Sequence, residues 1–592
     1  MKTKRVQLKD LKIGDKIKTF NGLDDIFEEV TDKFTSVVLH QNQMLLTFSN
    51  GSSLECSNNH PIMCYGENRT IVEVHAEHLT SAHEVIAENL EVVNLVNVIR
   101  GRVNDENYVD ITVGHTHTFY AANAHDSNMV LTHNSQGGVR DGSSTINVPI
   151  WHQEILDIAV LKNNKGTDDN RVKNLDYLIQ MSKLFINRML KNEQISLFST
   201  SEASSLYDLW GQPDFDETYL AYEADETVSR KTVQGSELLQ TIITERINTG
   251  RIYYMFIDNV NSTSQFLDPI TMSNLCTEIT QPTSPIYDIN SEDGEISLCN
   301  LGGLNLGFIK GPNTFYKLEE PIYRLVKAVD TIIDIQDYPV PAARKQLLRR
   351  NMGIGVSNFA YWLAKNDVKY TDEAALPLVD ELFEHIQYYL IKASVRLAQE
   401  RGRAPWFHKT KYAQGIMPFD NVVQGAKDLV DRPLTLDWEA LRAMVLQYGM
   451  RNSVLSAQMP VESSSIPQNS TNGIEPPRAL RSVKTNKTGG AIVMLMPEAD
   501  KLANQYTLAW DITSNSPINK ITAIIQKWID QAISVNHYYN PLMQENRMIP
   551  AKQVIQDMVE FYKLGGKCMY YANTLDSIEE QESGCGDGGC TL

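Results

Sequence analysis

Positive charge is in short supply. The chain has 54 Lys and Arg against 73 Asp and Glu, a net charge of -19. That excludes the basic face needed to coat a nucleic acid or lie on an anionic membrane, and leaves any phosphate to a local pocket. Long apolar runs are also missing: none approaches the roughly 18 residues of a membrane span. The charged start at Met1 is followed by no signal-peptide core. Together these absences predict a cytoplasmic chain without DNA or membrane partners. Cysteine is scarce, seven in 592 residues, and the odd count fits neither a disulfide framework nor a paired zinc pattern. Free thiols are expected, some of them available for chemistry, and no metal site. There is no internal repeat, and the length suffices for two or more cored domains.

What is present changes texture near residue 134. Before it, Leu46 and Phe48, then Asn50-Gly51, then Leu54 and Cys56 predict strands around a hairpin turn. After it, helical spacing is read through Leu178, Met181, Phe185 and Met189. It returns through Leu378, Leu382, Ile386, Tyr389, Ala393 and Leu397 and stops at Gly402. Apolar runs Arg251 to Ile257 and Gly490 to Met496 predict buried parallel strands of an α/β fold. Residues 576–592 are acidic and Gly-rich, so a mobile tail is expected there.

At the change of texture stands Thr132-His133-Asn134-Ser135. The Asn134 side chain can attack its own carbonyl and cut the chain, with His133 placed to protonate the leaving amine. Ser135 would accept an acyl group in the preceding step. Alone, this string is usually a plain loop. It gains meaning from Ser57-Asn58-Asn59-His60, from Tyr108-Val-Asp110-Ile-Thr-Val113 with His117-Thr-Phe119, and from Asp10-Leu-Lys-Ile-Gly-Asp-Lys-Ile17.

These blocks resemble those of inteins over nearly all of residues 1–134. The resemblance implies a β-rich Hint domain in which His60 assists the first acyl shift. Asp110 and His117 would promote branching and Asn134 cyclisation. Ser57 stands where Thr is usual, and the stretch from Phe119 to Asn134 is longer than typical. Because the opening nucleophile block of an intein is not in the sequence, residues 1–134 are expected to be the C-terminal part of an atypically split intein. The N-terminal part would come on another polypeptide with the upstream extein, and splicing would occur in trans.

Further along, Ser273-Asn274-Leu275-Cys276-Thr277-Glu278-Ile279 in an extended strand would put an amide, a thiol and a carboxylate on one face. A thiol donates a hydrogen atom or, as a thiyl radical, abstracts one, and a carboxylate nearby accepts a proton. The bland reading is a buried structural cysteine. A second thiol follows in Glu295-Ile-Ser-Leu-Cys299-Asn-Leu.

With the Asn-Leu-Cys-x-Glu-Ile motif, residues 135–592 resemble the large subunit of class I ribonucleotide reductase. The resemblance implies a ten-stranded α/β barrel over 135–575 and a flexible redox tail over 576–592. Cys276 would be the transient thiyl that takes the ribose 3' hydrogen, Glu278 would remove the 3' hydroxyl proton and Asn274 would position the substrate. Cys299 would be one of two thiols oxidised to a disulfide as the 2' hydroxyl leaves.

Met459-Pro-Val-Glu462-Ser463-Ser464-Ser465, with Asn472 to Arg478, looks like the family's diphosphate-binding stretch; read without the family it is a helix cap or polar turn. Tyr570 and Tyr571 resemble the tyrosine pair that carries the radical between subunits. Cys585 and Cys590 fit a thiol shuttle on the tail. Ser135, Gln136 and Arg140 resemble the loop that links the specificity effector to the substrate base, although Asp141 stands where Gly is usual.

The partners implied are an upstream reductase fragment with the N-terminal intein part, a small subunit with a di-iron or related dimetal tyrosyl radical, and thioredoxin or glutaredoxin. The substrate implied is a nucleoside diphosphate, ATP and dNTP effectors would bind mainly on the upstream fragment, and the spliced subunit would form a homo-oligomer. No cofactor is expected on this chain itself. The rival readings are an active splicing element with a degenerate reductase portion, and a cobalamin-dependent class II enzyme, which the tyrosine pair disfavours.

Overall fold

The computed structural model describes the chain except residues 1–6, 21–24, 38–41, 59, 67–68, 102–106, 114–117, 123–128, 134–142, 164, 166–170, 486–490, 545 and 576–592. It divides into two compact units, a front unit of Met1–Gly142 with the short stretch Thr485–Ala491 and a rear unit of Ser143–Lys484 and Ile492–Cys590.

The front unit is antiparallel throughout its described ladders. One hairpin shows why. From Met44 onward in Gln43–Phe48, and throughout Ser53–Ser57, buried positions alternate, and Leu46 and Leu54 face each other in the apolar layer. Between them Gly51 takes φ 81°, and the Asn50 side chain accepts from the Ser52 backbone N–H at 3.0 Å and its hydroxyl at 2.7 Å. The hairpin expected around Asn50-Gly51 is therefore present. Among the described residues, three sheets of three, six and three strands enclose an apolar core that includes Leu46, Ile62, Val85 and Ile111.

The rear unit is built on a five-stranded mixed sheet ordered Thr145–Pro149, Asp176–Met181, Ile252–Phe256, Cys568–Thr574, Val535–Tyr539. The first three run parallel. Asp176–Met181 and Ile252–Phe256 are buried at every position, the pattern of strands covered on both faces. A parallel pair, Asn300–Asn305 with Met352–Ser357, continues through single parallel bridges, Ile354 to Ser456 and Gln458 to Ile533. Among the described residues the ladders thus form half a barrel, where a ring of ten strands was expected.

Helix Ala375–Arg401 passes through the rear core, burying Leu382, Ile386, Leu390 and Leu397, and ends at Gly402 with φ 85° as its spacing predicted. The other helical expectation needs correction: Leu178 and Met181 lie in a strand, and the helix begins only at Lys183 and runs to Lys191. The i, i+3, i+7 pattern there spans a strand, a turn at Ser182 and a helix. The run from Gly490 to Met496 also differs. Among the described residues its strand, Ala491–Leu495, pairs only with Arg481–Thr485, and Val493 and Leu495 are exposed, so it is not a buried parallel strand. No helix among the described residues is long and apolar enough to cross a membrane.

Candidate active site

Asn274, Cys276 and Glu278 converge, but through a turn, which corrects the strand expected there. Ser273 and Thr280 form an antiparallel bridge that closes the loop. Inside it the Thr277 N–H donates to Asn274 O at 3.2 Å, and the Ile279 N–H to Asn274 Oδ1 at 3.0 Å. Thr277 takes φ 68°, a left-handed conformation that costs a β-branched residue roughly 1–2 kcal/mol. The chain reverses sharply there, and Ser534 meets the residues on both sides of Thr277.

Glu278 is buried, and loss of solvent pushes its carboxyl above the ordinary range, opposed by hydrogen bonds from Asn274 and Ser534. Ser534 ties the turn to the barrel. Its hydroxyl lies 2.6 Å from Cys276 O and 3.2 Å from Glu278 Oε2. The Ala532 N–H adds a bond to Glu278 O at 2.9 Å.

Cys276 is half-buried, with the Tyr570 hydroxyl 3.3 Å from its sulfur. The Tyr570 hydroxyl is in turn 2.9 Å from that of Tyr571, and the two ring centroids are 3.9 Å apart. Adjacent residues of a regular strand point to opposite faces. Here the pairing advances from Val535 with Met569 to His537 with Ala572, one residue more on the tyrosine strand. This bulge brings both rings to one side. Tyr253, from the neighbouring strand, packs against both rings at 4.8 and 5.7 Å and donates to Asp176 at 3.0 Å. The Arg251 guanidinium sits 5.6 Å from the Tyr571 ring centre.

Cys299 lies near Glu278. Burial pushes its thiol up, the Glu278 charge adds to this, and Gln281 and Gln531 offer opposing hydrogen bonds. A Cβ at Gly353 would come within 3.0 Å of its sulfur and 2.8 Å of Leu301 Cδ2, so the strand can lie this close only as glycine. Cys568, a third thiol, is buried near Glu278 and Ser273 and is also pushed up by burial.

The stretch expected to bind diphosphate is a four-residue helix, Glu462–Ser465, entered through Val461 at φ 54°. Ser463 and Ser464 are exposed. Ser465 is buried, its hydroxyl donating to Glu462 O at 2.7 Å and lying 2.9 Å from Asn472 Oδ1. In the front unit, the His60 N–H donates to Ser57 O at 3.1 Å, and His60 O accepts from the Ala76 N–H at 2.9 Å. Asp110 and His133 lie on strands Asn107–Val113 and Val130–His133, but their side chains are outside the described residues. So are His117, Asn134, Ser135, Gln136, Arg140, Cys585 and Cys590.

Reading the sequence missed Ser534, Tyr253, Gln281, Gln531 and Cys568. The only signal was for Tyr253, within a run read simply as a strand.

Fold and sequence together define the class. The family described as ribonucleotide reductase, barrel domain, matches residues 102–572, and the chain belongs to it. Within that class it is 45% identical over 473 residues to the ribonucleoside-diphosphate reductase subunit alpha of Buchnera aphidicola subsp. Baizongia pistaciae, covering 77% of this chain and 62% of the relative. It is 43% identical over 473 residues to the ribonucleoside-diphosphate reductase 1 subunit alpha of Escherichia coli strain K12, with the same coverage. The subunit alpha of Enterobacteria phage T4 is 41% identical over 450 residues, 75% of this chain and 59% of that one. The chain thus spans about three-fifths of the length of these relatives. The family match leaves residues 1–101 outside.

Proposed function

We propose that residues 135–592, which include the rear unit, are the radical-bearing part of a class I ribonucleotide reductase large subunit acting on ribonucleoside diphosphates. The observation that carries this is the unbroken series Tyr571, Tyr570, Cys276, with contacts of 2.9 and 3.3 Å, ending beside a buried carboxylate. Each hydroxyl can pass its proton to the next group as the electron moves. A small subunit with a dimetal tyrosyl radical supplies the oxidising equivalent.

The Cys276 thiyl takes the ribose 3' hydrogen while Glu278 accepts the 3' hydroxyl proton. Burial makes that carboxylate a stronger base than one in water. The Asn274 Oδ1 accepts from the Ile279 N–H and its NH2 group donates to Glu278, so the amide is fixed beside the carboxylate, where its second N–H is proposed to hold the substrate. The 2' hydroxyl departs as water. Cys299 and a partner thiol supply two electrons and two protons and become a disulfide, and Cys276 returns a hydrogen to C3'. In sum, ribonucleotide and two thiols give deoxyribonucleotide, disulfide and water. Cys585 and Cys590 would reduce that disulfide by exchange and be reduced in turn by thioredoxin or glutaredoxin. Glu462 and Ser463 to Ser465 are proposed to receive the diphosphate.

The test combines the chain with the upstream reductase fragment and a small subunit and measures reduction of CDP. Cys276→Ala and Tyr570→Phe are each expected to bring product to background with the fold intact. Product at parental level from either variant sinks the assignment.

For residues 1–134 we propose a protein-splicing element that joins an upstream segment to Ser135, with His60, Asp110, His117 and His133 assisting and Asn134 cyclising. Its support is the set of four sequence blocks on an antiparallel β unit. Release would leave Ser135 at the head of the loop whose Gln136 and Arg140 are proposed to read the substrate base. Mass spectrometry should find ligated product from the parent and none from Asn134→Ala; ligated product from both would defeat the proposal.

A further inference from the structure

We propose that His75, Glu77 and His78 form a binding site for a divalent late transition-metal ion, with zinc as the probe. The ligand atoms of the three side chains all lie within 4.8 Å of one another. His75 ends the strand Ile71–His75, and Glu77 and His78 belong to the one-turn helix Ala76–His78 that follows. The two imidazole rings are nearly parallel, 15° apart, with centroids separated by 6.2 Å.

Two imidazoles and a carboxylate are a donor set that suits zinc, with the fourth tetrahedral position left to water. Bonds of about 2.1 Å require donor atoms about 3.4 Å apart. His75 and His78 are exposed, so rotation of their side chains can close the remaining gap.

The backbone beneath the cluster is already fixed. The Ala76 N–H donates to His60 O at 2.9 Å and the Glu77 N–H to Asn58 O at 2.8 Å. Arg100 donates to Glu77 O at 3.0 Å. The Asn58 amide donates to Glu77 Oε2 at 3.1 Å, orienting the carboxylate while its other oxygen remains for a cation. These bonds fix the carboxylate and the backbone from which both imidazoles project.

The same bonds give occupancy a consequence. A cation pinning His75 to Glu77 and His78 would hold the Ala76–Glu77 backbone, and through it Asn58 and His60. The binding inference needs only the fold of the front unit. Its effect on His60 chemistry rests on the splicing proposal.

The test titrates zinc chloride into the full chain after chelator treatment, by calorimetry, in a Cys585→Ser and Cys590→Ser background that removes the tail thiols. One equivalent should bind at micromolar concentration. Glu77→Gln and His78→Ala should each weaken binding by about 10-fold or more while the melting temperature stays unchanged. Hydrogen exchange read by mass spectrometry should show zinc protecting the amides of Ala76 and Glu77 in the parent alone. Equal affinity in parent and variants, or no protection at those amides, overturns the site. If splicing occurs, zinc should slow it in the parent and not in His78→Ala. Absence of splicing with zinc binding intact would count against the splicing proposal and leave the metal site standing.

Discussion

The two units keep their polar groups in opposite ways. The buried polar residues described in the front unit are Thr19, Gln43, Ser52, Thr118 and Thr132, and none of them ionises at neutral pH. The rear unit buries Glu278, Asp330, Arg350, Asp380, Asp530 and Lys567, among others. The front unit is thus held by its ladders and an apolar core. The rear unit carries charge inside, and its candidate chemistry depends on that interior. Charge kept from water is expensive unless every partner is in place, so the rear unit is the one that single substitutions and pH should disturb most. All seven tryptophans of the sequence, Trp151 to Trp528, also lie in the rear unit, so tryptophan emission reports on it selectively.

The sharpest test of this contrast is Asp330→Ala. Asp330 is fully buried and receives Arg350 at 2.7 Å, Arg401 at 3.0 Å and Arg451 at 3.2 Å. Removing it strands guanidinium charge, at a cost of about 3–5 kcal/mol. Urea denaturation followed by tryptophan emission should show a loss of that size, with the front transition unmoved. A loss below 1 kcal/mol would mean that the network is as loosely held as a surface pair.

Leu46→Ala probes the other side of the comparison. Leu46 is fully buried in the front core, and its truncation should cost about 2–5 kcal/mol. Because the two cores are separate clusters, far-UV circular dichroism should register the change and tryptophan emission should not. Movement of both signals together would show that the units unfold as one.

The same contrast explains what could be read from the sequence. Alternation around Asn50-Gly51 was legible because antiparallel strands with one wet face write their period into composition. So was the long helix that ends at Gly402. The grouping of Asn274, Cys276 and Glu278 was anticipated for the wrong reason: strand alternation suggested it, whereas the left-handed Thr277 achieves it, and nothing local in a Thr announces a positive φ. The tyrosine pair depends on a bulge set by a strand elsewhere in the sequence, Val535–Tyr539. Ser534 and Gln531 act through contacts hundreds of residues apart, which no spacing rule records. The run from Gly490 to Met496 failed because apolar residues alone do not distinguish a covered strand from an exposed pair.

The smallest effect concerns Glu475, which links the buried charge of the rear unit to pH. Its Oε1 is buried without a hydrogen-bond partner, and its Oε2 accepts from the Tyr538 hydroxyl at 3.3 Å. Burial pushes this carboxyl up to about 7, the charge of Glu462 adds to the rise, and Arg478 opposes it. The folded protein therefore keeps a proton on Glu475 that the unfolded chain releases above its ordinary value of 4.5. The sign follows: the contribution is fully present below about pH 4.5 and is lost as pH rises through about 7, by up to about 3 kcal/mol. Glu475→Gln cannot ionise, so parent and variant should lie within about 1 kcal/mol at pH 5, and the variant should be the more stable at pH 8. The measurement is the urea midpoint by tryptophan emission at both pH values, taken as a difference between the two proteins so that other titrating groups cancel. The front transition, read by circular dichroism, should show no difference between the proteins at either pH. A gap between parent and variant that does not widen with pH would place the titration elsewhere and remove Glu475 from the account of how the rear unit carries its charge.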